Sequence, residues 1–352
     1  MEPSTARELA HSYLISWIDV VALSAALAIS IASVCIVFAS LRRLKRVSEL
    51  LKNARNLSPQ QTTSAQSSEL QRAVADGHLE LLYQPQGSFG SLEITVAEAL
   101  LRWRLPDGRY REPGDFLCVA EQSTIIADID DWVLKRAIAT AAKWHHGCWP
   151  NVRIAVNVSP RQLIDASFVD RVSRLLAQAS LAPSCLEIEL TENVLQTTAP
   201  VVESLQRLRA LGVSVALDDF GTGYSSLSSL EQLPLTRVKI DRSLMTTIDT
   251  NPKSATIVRS MIALCRKLGM HVTAEGVERP SQLAELLPSA EVDVQGYLLA
   301  RPLSEADFEQ FLIGHGSHMQ ELLMRSFEHI QSEPPDDAVR FVTPARASSE
   351  AV

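Results

Sequence analysis

Short segments rich in β-forming residues alternate with helix-length amphipathic segments over about 245 residues of this chain, from Ser68 to Leu312. This alternation is typical of a parallel sheet wrapped by helices, and the length matches the ~250 residues of a (β/α)8 barrel. The predicted strands are Leu79 to Gln84, Thr95 to Arg102, Val152 to Asn157, Leu186 to Leu190, Ser214 to Asp218, Arg237 to Ile240, His271 to Ala274 and Val292 to Val294. Eight strands are enough to close a barrel, so we predict an α/β fold, a TIM-like (β/α)8 barrel, over residues 70–312.

The segments between these strands carry apolar residues at helical spacing. The predicted helices are Asp131 to His145, Phe168 to Ala179, Val201 to Ala210, Ala255 to Lys267 and Ser281 to Leu287. Gly212 and Gly269 follow two of them, where helix C-caps are expected.

Polar side chains stand at or just beyond the ends of six predicted strands. They are Asn157, Glu189, Asp218 with Asp219, Lys239, Glu275 and Gln295. In a barrel the C-terminal ends of the strands converge on one face, which is where active sites lie in this fold. Glu98 lies within a further strand and could join the same group. The sequence therefore predicts one pocket that contains several carboxylates, an amide and a lysine.

A cluster of carboxylates in a cleft needs a counter-charge, because like charges a few Å apart raise one another's pKa. An all-oxygen ligand set without histidine favours Mg²⁺ or Mn²⁺ over zinc. Two such ions about 3.5 to 4 Å apart would suit phosphodiester hydrolysis, with one activating water and both holding phosphate oxygens.

Each of these motifs also has an ordinary structural explanation when it is taken singly. Residues 218–223 could be a glycine turn, Thr191 a helix cap, residues 275–278 a solvated loop, and Lys239 a member of a salt bridge. Independent turns would not be expected to place acids at successive strand ends, so the sequence favours a shared site.

The composition excludes several other classes of function. Lys plus Arg total 33 and Asp plus Glu total 41, a net charge of −8. No DNA or RNA polymer binding is expected, because such binders normally carry a basic surplus. The five cysteines form no CxxC pair and the histidines show no HExxH spacing, so neither a disulfide framework nor a zinc site is predicted. The main domain is predicted to be reduced and cytosolic.

Residues 20–41 carry no charge and are long enough, at 1.5 Å per residue, to cross a hydrocarbon core of roughly 30 Å. We predict one uncleaved transmembrane helix there. A cleaved signal peptide is the competing interpretation, but a basic n-region is missing and the apolar run is too long. A lipoprotein site is not convincing either, because the residue before Cys35 is Val34, which is not small enough.

The charges on either side of this span predict its orientation. Residues 42–57 contain six basic residues and one acidic residue, whereas residues 1–41 contain one basic residue and three acidic residues. By the positive-inside rule, residues 1–19 form a short extracytoplasmic N-terminus, and everything after residue 41 lies in the cytoplasm of a bacterial cell. Residues 42–69 are predicted to form a basic juxtamembrane helix followed by a flexible linker at residues 58–64, and residues 313–352 a partly disordered tail.

The motifs of the barrel segment resemble those of the EAL domain of bacterial cyclic di-GMP phosphodiesterases. The resemblance is strongest in the segments Glu98 to Trp103 (EALLRW) and Leu217 to Leu227 (LDDFGTGYSSL). Further matching segments, in the family's order, are Tyr83 to Pro85, Asn157 to Ser159, Glu189 to Glu192, Lys239 to Ser243, Ala274 to Glu278 and Gln295 to Tyr297. At residues 86–88 this chain has Gln-Gly-Ser, where the family usually has an apolar strand continuation. This departure bears on substrate affinity and the pocket rim rather than on the metal site.

The resemblance implies a barrel whose first strand is antiparallel to the others and a cyclic-guanylate-specific phosphodiesterase that opens cyclic di-GMP to linear pGpG. It implies two Mg²⁺ or Mn²⁺ ions, one held by Glu98, Asn157, Glu189 and Asp218, the other by Asp218, Asp219 and Glu275. Lys239 would orient the attacking water with Glu275 assisting, and the substrate would contact Gln84, Leu101, Arg102 and Gln295. Glu192 and Glu278 would support the site, and the family's loop after Asp219 couples dimerisation to metal binding, which implies a homodimer through the barrel.

Two other functions remain as alternatives to hydrolysis. A catalytically silent receptor for cyclic di-GMP, or a protein-interaction module, could use the same barrel, but such members of the family usually lose metal ligands. A cyclase that makes the same nucleotide lacks support, because no GGDEF-type sequence occurs. The sequence also contains no GxxxxGK, so a P-loop enzyme is excluded.

Overall fold

The computed structural model of the chain describes residues 59–121, 125–192, 199–222, 227–289 and 292–332. The chain divides into two compact units, residues 1–69 and residues 70–352. Of the first unit, the structure describes only residues 59–69, which are helical. The second unit contains the sheet and the predicted site.

Nine strands form one sheet, and eight of them close it into a barrel. They are β1 (Leu79–Ser88), β2 (Glu93–Arg104), β3 (Tyr110–Arg111), β4 (Arg153–Asn157), β5 (Leu186–Thr191), β6 (Ser214–Phe220), β7 (Arg237–Ile240), β8 (His271–Ala274) and β9 (Val292–Gln295). The order is β1-β9-β8-β7-β6-β5-β4-β2-β3, and pairing of β1 with β2 closes the ring. β1 is antiparallel to both of its neighbours, whereas β2 and β4 to β9 run parallel to one another. The prediction of a TIM-like barrel is confirmed.

Helices cover the outside of the barrel. They are α2 (Pro113–Glu121), α3 (Ile125–His146), α4 (Pro160–Ile164), α5 (Phe168–Gln178), α6 (Ala199–Leu211), α7 (Leu227–Gln232), α8 (Arg242–Met245), α9 (Pro252–Lys267), α10 (Pro280–Leu286) and α11 (Glu305–Ser332). The helix α1 (Pro59–Ala75) precedes the first strand in the chain. Because the helices cover the outer face of the sheet, the strands are buried on both faces and contain continuous apolar segments. In β6, for example, Val215, Ala216 and Leu217 are all fully buried. The four cysteines within the described residues are free thiols.

The first strand extends beyond its predicted end at Gln84. β1 continues to Ser88, pairs with both β2 and β9 there, and changes register between Gln86 and Gly87. Proline and glycine normally weaken a strand, but a bulge accommodates the irregularity without ending the pairing. The unusual segment after Pro85 is therefore part of the barrel wall rather than of the pocket rim.

At the flanks of the barrel, the structure corrects the predicted linker and defines more of the predicted tail. Residues 59–64 were predicted as a linker, but α1 begins at Pro59, because proline is well tolerated at the start of a helix. Residues 313–332 were predicted as part of the tail, but α11 continues through them. Its buried face includes Met319 and Leu322, which pack into the main core cluster. The predicted disorder beyond Ser332 lies outside the described residues.

The structure does not test the predicted membrane anchor. No helix within the described ranges is long and apolar enough to span a bilayer. The predicted extracytoplasmic segment 1–19, the span at residues 20–41 and the basic segment 42–57 all lie outside those ranges.

Candidate active site

The strands bring the predicted acidic residues to one mouth of the barrel. Glu98 of β2 is paired with Gln84 of β1 and is only 5% exposed. Asn157 and Glu189 lie side by side at the ends of β4 and β5. Asp218 continues this row on β6, where it pairs with Thr191.

Lys239 lies at the centre of this group. Its ammonium is fully buried and lies 3.2 Å from carboxylate oxygens of Glu98, Glu189 and Asp218, and 2.8 Å from Glu275 Oε1. Burial alone would lower the pKa of Lys239, but these carboxylates raise it well above its usual value. The lysine therefore stays charged and acts as the fixed cation of the site.

Glu275 follows β8 and enters the site through a sharp turn. The next residue, Gly276, has φ +67°, and a Cβ there would lie 2.3 Å from the Cβ of Arg242. Glycine is needed at this position because a side chain would be strained and would clash. The turn holds the Glu275 carboxylate against Lys239.

The surroundings shift the pKa values of the three glutamates of the site in different directions. Burial raises the pKa of Glu275 to about 8, and the charges of Asp218 and Glu98 add to this while Lys239 opposes it. Burial also raises the pKa of Glu189, with Glu98 as the next cause. Burial would raise the pKa of Glu98 as well, but Lys239 and a hydrogen bond from Gln295 outweigh it, so its pKa lies below the usual value.

Asp219 occupies a strained position next to Asp218. Its φ is +57°, a left-handed conformation that costs a non-glycine residue about 1–3 kcal/mol. Its main-chain N–H donates to Asp218 Oδ1 at 3.0 Å. Burial raises the pKa of Asp219, and the charge of Asp218 raises it further. The strained backbone keeps the two carboxylates together.

These residues fit a pair of divalent cations. Two groups can each offer oxygen atoms within 4.8 Å of one another: Glu98, Glu189 and Asp218, and Asp218, Asp219 and Glu275. The five carboxylates and the Lys239 ammonium leave four negative charges when all are ionised, and two divalent ions carry four positive ones. Oxygen donors of this kind suit Mg²⁺ or Mn²⁺.

Asn157 is at the site but presents its nitrogen to the carboxylates. Its Nδ2 donates to Glu98 Oε1 at 3.0 Å and to Glu189 Oε2 at 3.4 Å. To serve as the predicted metal ligand, the amide would have to make a half-turn that points its oxygen inwards.

Gln295 and Gln84 lie beside the cluster and are linked to it. Gln295 is buried, and its Nε2 donates to Glu98 Oε2 at 2.7 Å and to Gln84 Oε1 at 3.3 Å. Gln295 Oε1 has no hydrogen-bond partner among the described residues. A buried acceptor without a partner is costly, and a ligand or water that donates to this oxygen would remove the cost.

The remaining predicted residues lie further from the carboxylates. Leu101 lines a cavity of about 300 Å³ that Asn157 also borders. Arg102 is half-buried and donates to the carbonyl of Leu101 at 2.8 Å. Glu192 accepts a hydrogen bond from Thr222 at 3.4 Å, which ties it to the loop after Asp219.

Glu278, predicted as a supporting residue, is not brought into the cluster. It is exposed, and its main-chain N–H donates to Gln282 Oε1 at 2.8 Å. The contacts described for Glu278 do not reach the cluster, and Glu278 is connected to the site only through the loop that follows Glu275.

Gln86 is a residue of the site that the sequence interpretation missed. It is fully buried inside the barrel, and its Nε2 donates to Glu189 Oε1 at 3.4 Å while its Oε1 accepts from Thr273. Gln84 and Gln86 are two residues apart on one strand and so face the same side, which is the signal that could have found it.

Replacing Gln86 with leucine should weaken metal binding about tenfold, because partners that orient metal ligands typically contribute 10- to 100-fold in affinity. Turnover at saturating Mn²⁺ should change much less, since the side chain of Gln86 contacts Glu189 and Thr273 and its role is to orient a metal ligand. Calorimetric titration with Mn²⁺ measures the first quantity. The same substitution at the exposed Gln178 is the matched control, and an unchanged affinity in Gln86→Leu would remove Gln86 from the site.

Metal affinity should rise with pH up to about 8 and then level off. In the metal-free protein the pKa of Glu275 is about 8, so below that pH an ion must displace a proton to bind. One displaced proton corresponds to about tenfold in affinity per pH unit. Mn²⁺ titrations at pH 6, 7, 8 and 9 measure this, and an affinity that does not change with pH would contradict the assigned role of Glu275.

Comparison with known proteins agrees with this site. Residues 67–302 match the model of the EAL domain. The chain is 44% identical over 245 residues to the cyclic di-GMP phosphodiesterase NbdA of Pseudomonas aeruginosa, covering 69% of this chain and 31% of NbdA. It is 38% identical over 233 residues to the cyclic di-GMP phosphodiesterase PA2567 of the same organism, covering 66% of this chain and 40% of that protein. The chain thus spans less than half the length of these relatives.

A solved structure gives the same result. The PaMucR phosphodiesterase in complex with c-di-GMP superposes with a TM-score of 0.66 and 36% sequence identity, covering 69% of this chain and 99% of that one. Three findings agree: the barrel is closed, acidic residues lie at its mouth, and the family model matches two thirds of the sequence. The chain belongs to the EAL domain family.

Proposed function

We propose that this chain is a metal-dependent phosphodiesterase that hydrolyses cyclic di-GMP to linear pGpG and so lowers the level of this second messenger. One observation carries the proposal: five carboxylates from β2, β5, β6 and the loop after β8 meet in two groups that share Asp218 and can each hold a cation. Relatives that share this domain are named cyclic di-GMP phosphodiesterases.

Two ions, Mg²⁺ or Mn²⁺, would be held by the residues that the two groups contain. Glu98, Glu189 and Asp218, with Asn157, would hold one, and Asp218, Asp219 and Glu275 the other. Bound ions of this kind lower the pKa of water and neutralise charge on phosphate oxygens. The carboxylates, which are buried at Glu98 and Glu189 and partly buried elsewhere, would hold the ions at the mouth of the barrel.

The protein side chains supply position and proton handling. Lys239, held by four carboxylates, would orient the attacking water through its ammonium. Glu275 would assist by accepting a proton from that water, because binding of a cation keeps its carboxylate ionised. Arg102 offers a guanidinium fork suited to a phosphate oxygen pair.

The rest of the substrate would lie along neighbouring surfaces of the same mouth. The cavity of about 300 Å³ beside Asn157 is lined by apolar side chains such as Leu101 and Val133. A flat purine base fits such a lining. Gln295 Oε1 is a buried acceptor for a donor on the ligand.

The turnover assay tests the hydrolase against the silent receptor or interaction module. The full-length chain, purified in mild detergent, is incubated with cyclic di-GMP and Mg²⁺ or Mn²⁺, and the products are separated by chromatography. We expect pGpG, and no product in EDTA or Ca²⁺. Tight binding of cyclic di-GMP without product would favour the receptor, which the complete ligand set argues against.

We further propose that residues 20–41 anchor the protein in the bacterial inner membrane, with the barrel in the cytoplasm and a homodimer formed through the barrel. The charge asymmetry around residues 20–41 supports this topology. Alkaline phosphatase fused after Lys52 should be inactive, and strong activity would contradict it. Light scattering of the detergent-solubilised chain should give twice the chain mass if the dimer forms.

A further inference from the structure

The opposite mouth of the barrel contains a second cavity, of about 780 Å³. Arg153 begins β4, Arg237 begins β7 and His271 begins β8, so these residues line the end where the strands start. At about 3.3 Å per residue, Arg153 and Asn157 on β4 are about 13 Å apart along the strand. The cavity is therefore separate from the metal-binding mouth.

The lining of this second cavity is cationic in a chain whose net charge is −8. Its charged side chains are Arg153, Arg237, Arg266, Lys267 and Asp293, with His271 beside them. Together with the buried Glu187, which pairs with Arg153 and Arg237, these side chains amount to four cations and two carboxylates and leave a local positive excess. Clefts lined by charge of one sign concentrate ions of the opposite sign.

The floor of the cavity is built and rigid. Arg237 is 1% exposed, and its guanidinium donates to Asp293 at 2.7 Å, to Thr273 at 2.8 Å and to Glu187 at 3.3 Å. Arg153 also donates to Glu187 at 3.3 Å. A guanidinium held in place beforehand loses little freedom when it binds an anion.

Neutral donors and the end of a helix complete the lining. The hydroxyls of Ser88, Ser91 and Thr95 come from β1, β2 and the turn between them. Arg266 and Lys267 form the last turn of α9. Cations there also stabilise the helix C-terminus, but that role requires no cavity. Hydroxyls and cations around one space are the donors that phosphate oxygens require.

We propose that this second cavity is a binding site for a phosphate-bearing small molecule up to the size of a nucleotide. The volume lies in the range of small-molecule sites, about 300–1,000 Å³. The floor guanidinium and the α9 cations would contact the phosphate oxygens, and Ser88 and Ser91 would add hydroxyl contacts. The site needs neither the metal ions nor the substrate of the other mouth.

Calorimetric titration of the full-length chain in EDTA tests this proposal, because chelation removes the cations that would hold phosphate at the metal mouth. The probes are inorganic phosphate, pyrophosphate and AMP. We expect saturable binding of at least one of them that weakens as salt is added. If AMP binds more tightly than phosphate, the cavity is a nucleotide site. If pyrophosphate binds more tightly than phosphate, it is a polyphosphate site. Both results support the proposal.

The double variant Arg266→Gln/Lys267→Gln locates the bound probe. Both residues are exposed at a helix end, so the fold should survive, and the Kd should rise about tenfold through loss of two charge-assisted contacts. The control Lys253→Gln/Arg174→Gln removes the same charge from exposed positions elsewhere and should change the Kd less than about twofold. Absence of saturable binding, or binding that the double variant leaves unchanged, would overturn the proposal. Neither readout depends on hydrolysis of cyclic di-GMP.

Discussion

Replacing Glu98 with glutamine is expected to lower kcat/KM for cyclic di-GMP by about a thousandfold. A bound metal ion stabilises the transition state by several kcal/mol, and each tenfold loss of rate corresponds to about 1.4 kcal/mol. Glutamine keeps the size of the side chain, so the barrel should fold. It removes a ligand charge and the ion pair of Glu98 with Lys239 at 3.2 Å. The Kd for Mn²⁺ should rise together with the loss of turnover.

The matched control for Glu98 is Glu80→Gln on the first strand. Glu80 pairs with Arg104 at 2.8 Å in a partly exposed position, and such surface pairs contribute little to stability. This variant should keep both activity and Mn²⁺ affinity within about twofold of the unaltered chain. Full activity in Glu98→Gln would mean that the metal site is misassigned.

Replacing Lys239 with methionine is expected to destabilise the metal-free protein by about 3–5 kcal/mol, the usual result of removing one partner of a buried ion pair. Four carboxylates would lose the ammonium that they surround. The loss should be larger at pH 8 than at pH 5.5, because protonation at low pH relieves the repulsion among the remaining acids. Saturating Mn²⁺ should recover most of the lost stability by replacing the missing charge.

Thermal unfolding measures the effect of Lys239→Met at both pH values, with EDTA or with Mn²⁺. At about 2–4 °C per kcal/mol for a domain of this size, the Tm in EDTA at pH 8 should fall by roughly 10 °C. Turnover should also fall about a hundredfold or more, since a positioned group near the water is lost. Lys253→Met, at an exposed position of α9, is the control. An unchanged Tm in EDTA at pH 8 would show that Lys239 does not neutralise the cluster.

The sequence predicted the barrel and most of the site because both follow from short-range periodicity. β7 and β8 begin and end at their predicted residues, since two of the four residues in each strand are β-branched and favour extended structure. Lys239 was recognised by its place at a strand end. Its contact with Glu98 and Glu275 could not be read from the sequence, because these residues are 141 and 36 positions away and only closure of the barrel joins them.

Two groups of polar residues inside the strands are not among the predicted site residues. Gln86 followed a proline, so the strand was ended before it. Arg237 and Glu187 each stand two residues before a recognised member of the site, Lys239 and Glu189, and so face the barrel interior with them. Every second side chain of a strand faces the same side. Counting back two residues from Lys239 and Glu189 would therefore have predicted a second layer of charged side chains inside the barrel, below the metal site.

The number of divalent ions bound per chain tests the central claim most directly. Mn²⁺ bound by the full-length chain at pH 8 can be counted by calorimetry together with electron paramagnetic resonance. We expect two ions per chain, spin-coupled through the shared Asp218, and loss of the coupling in Asp219→Asn, which removes a ligand of one ion only. No Mn²⁺ bound at millimolar concentration, or two ions retained without change in both Glu98→Gln and Asp219→Asn, would contradict the proposed metal centre.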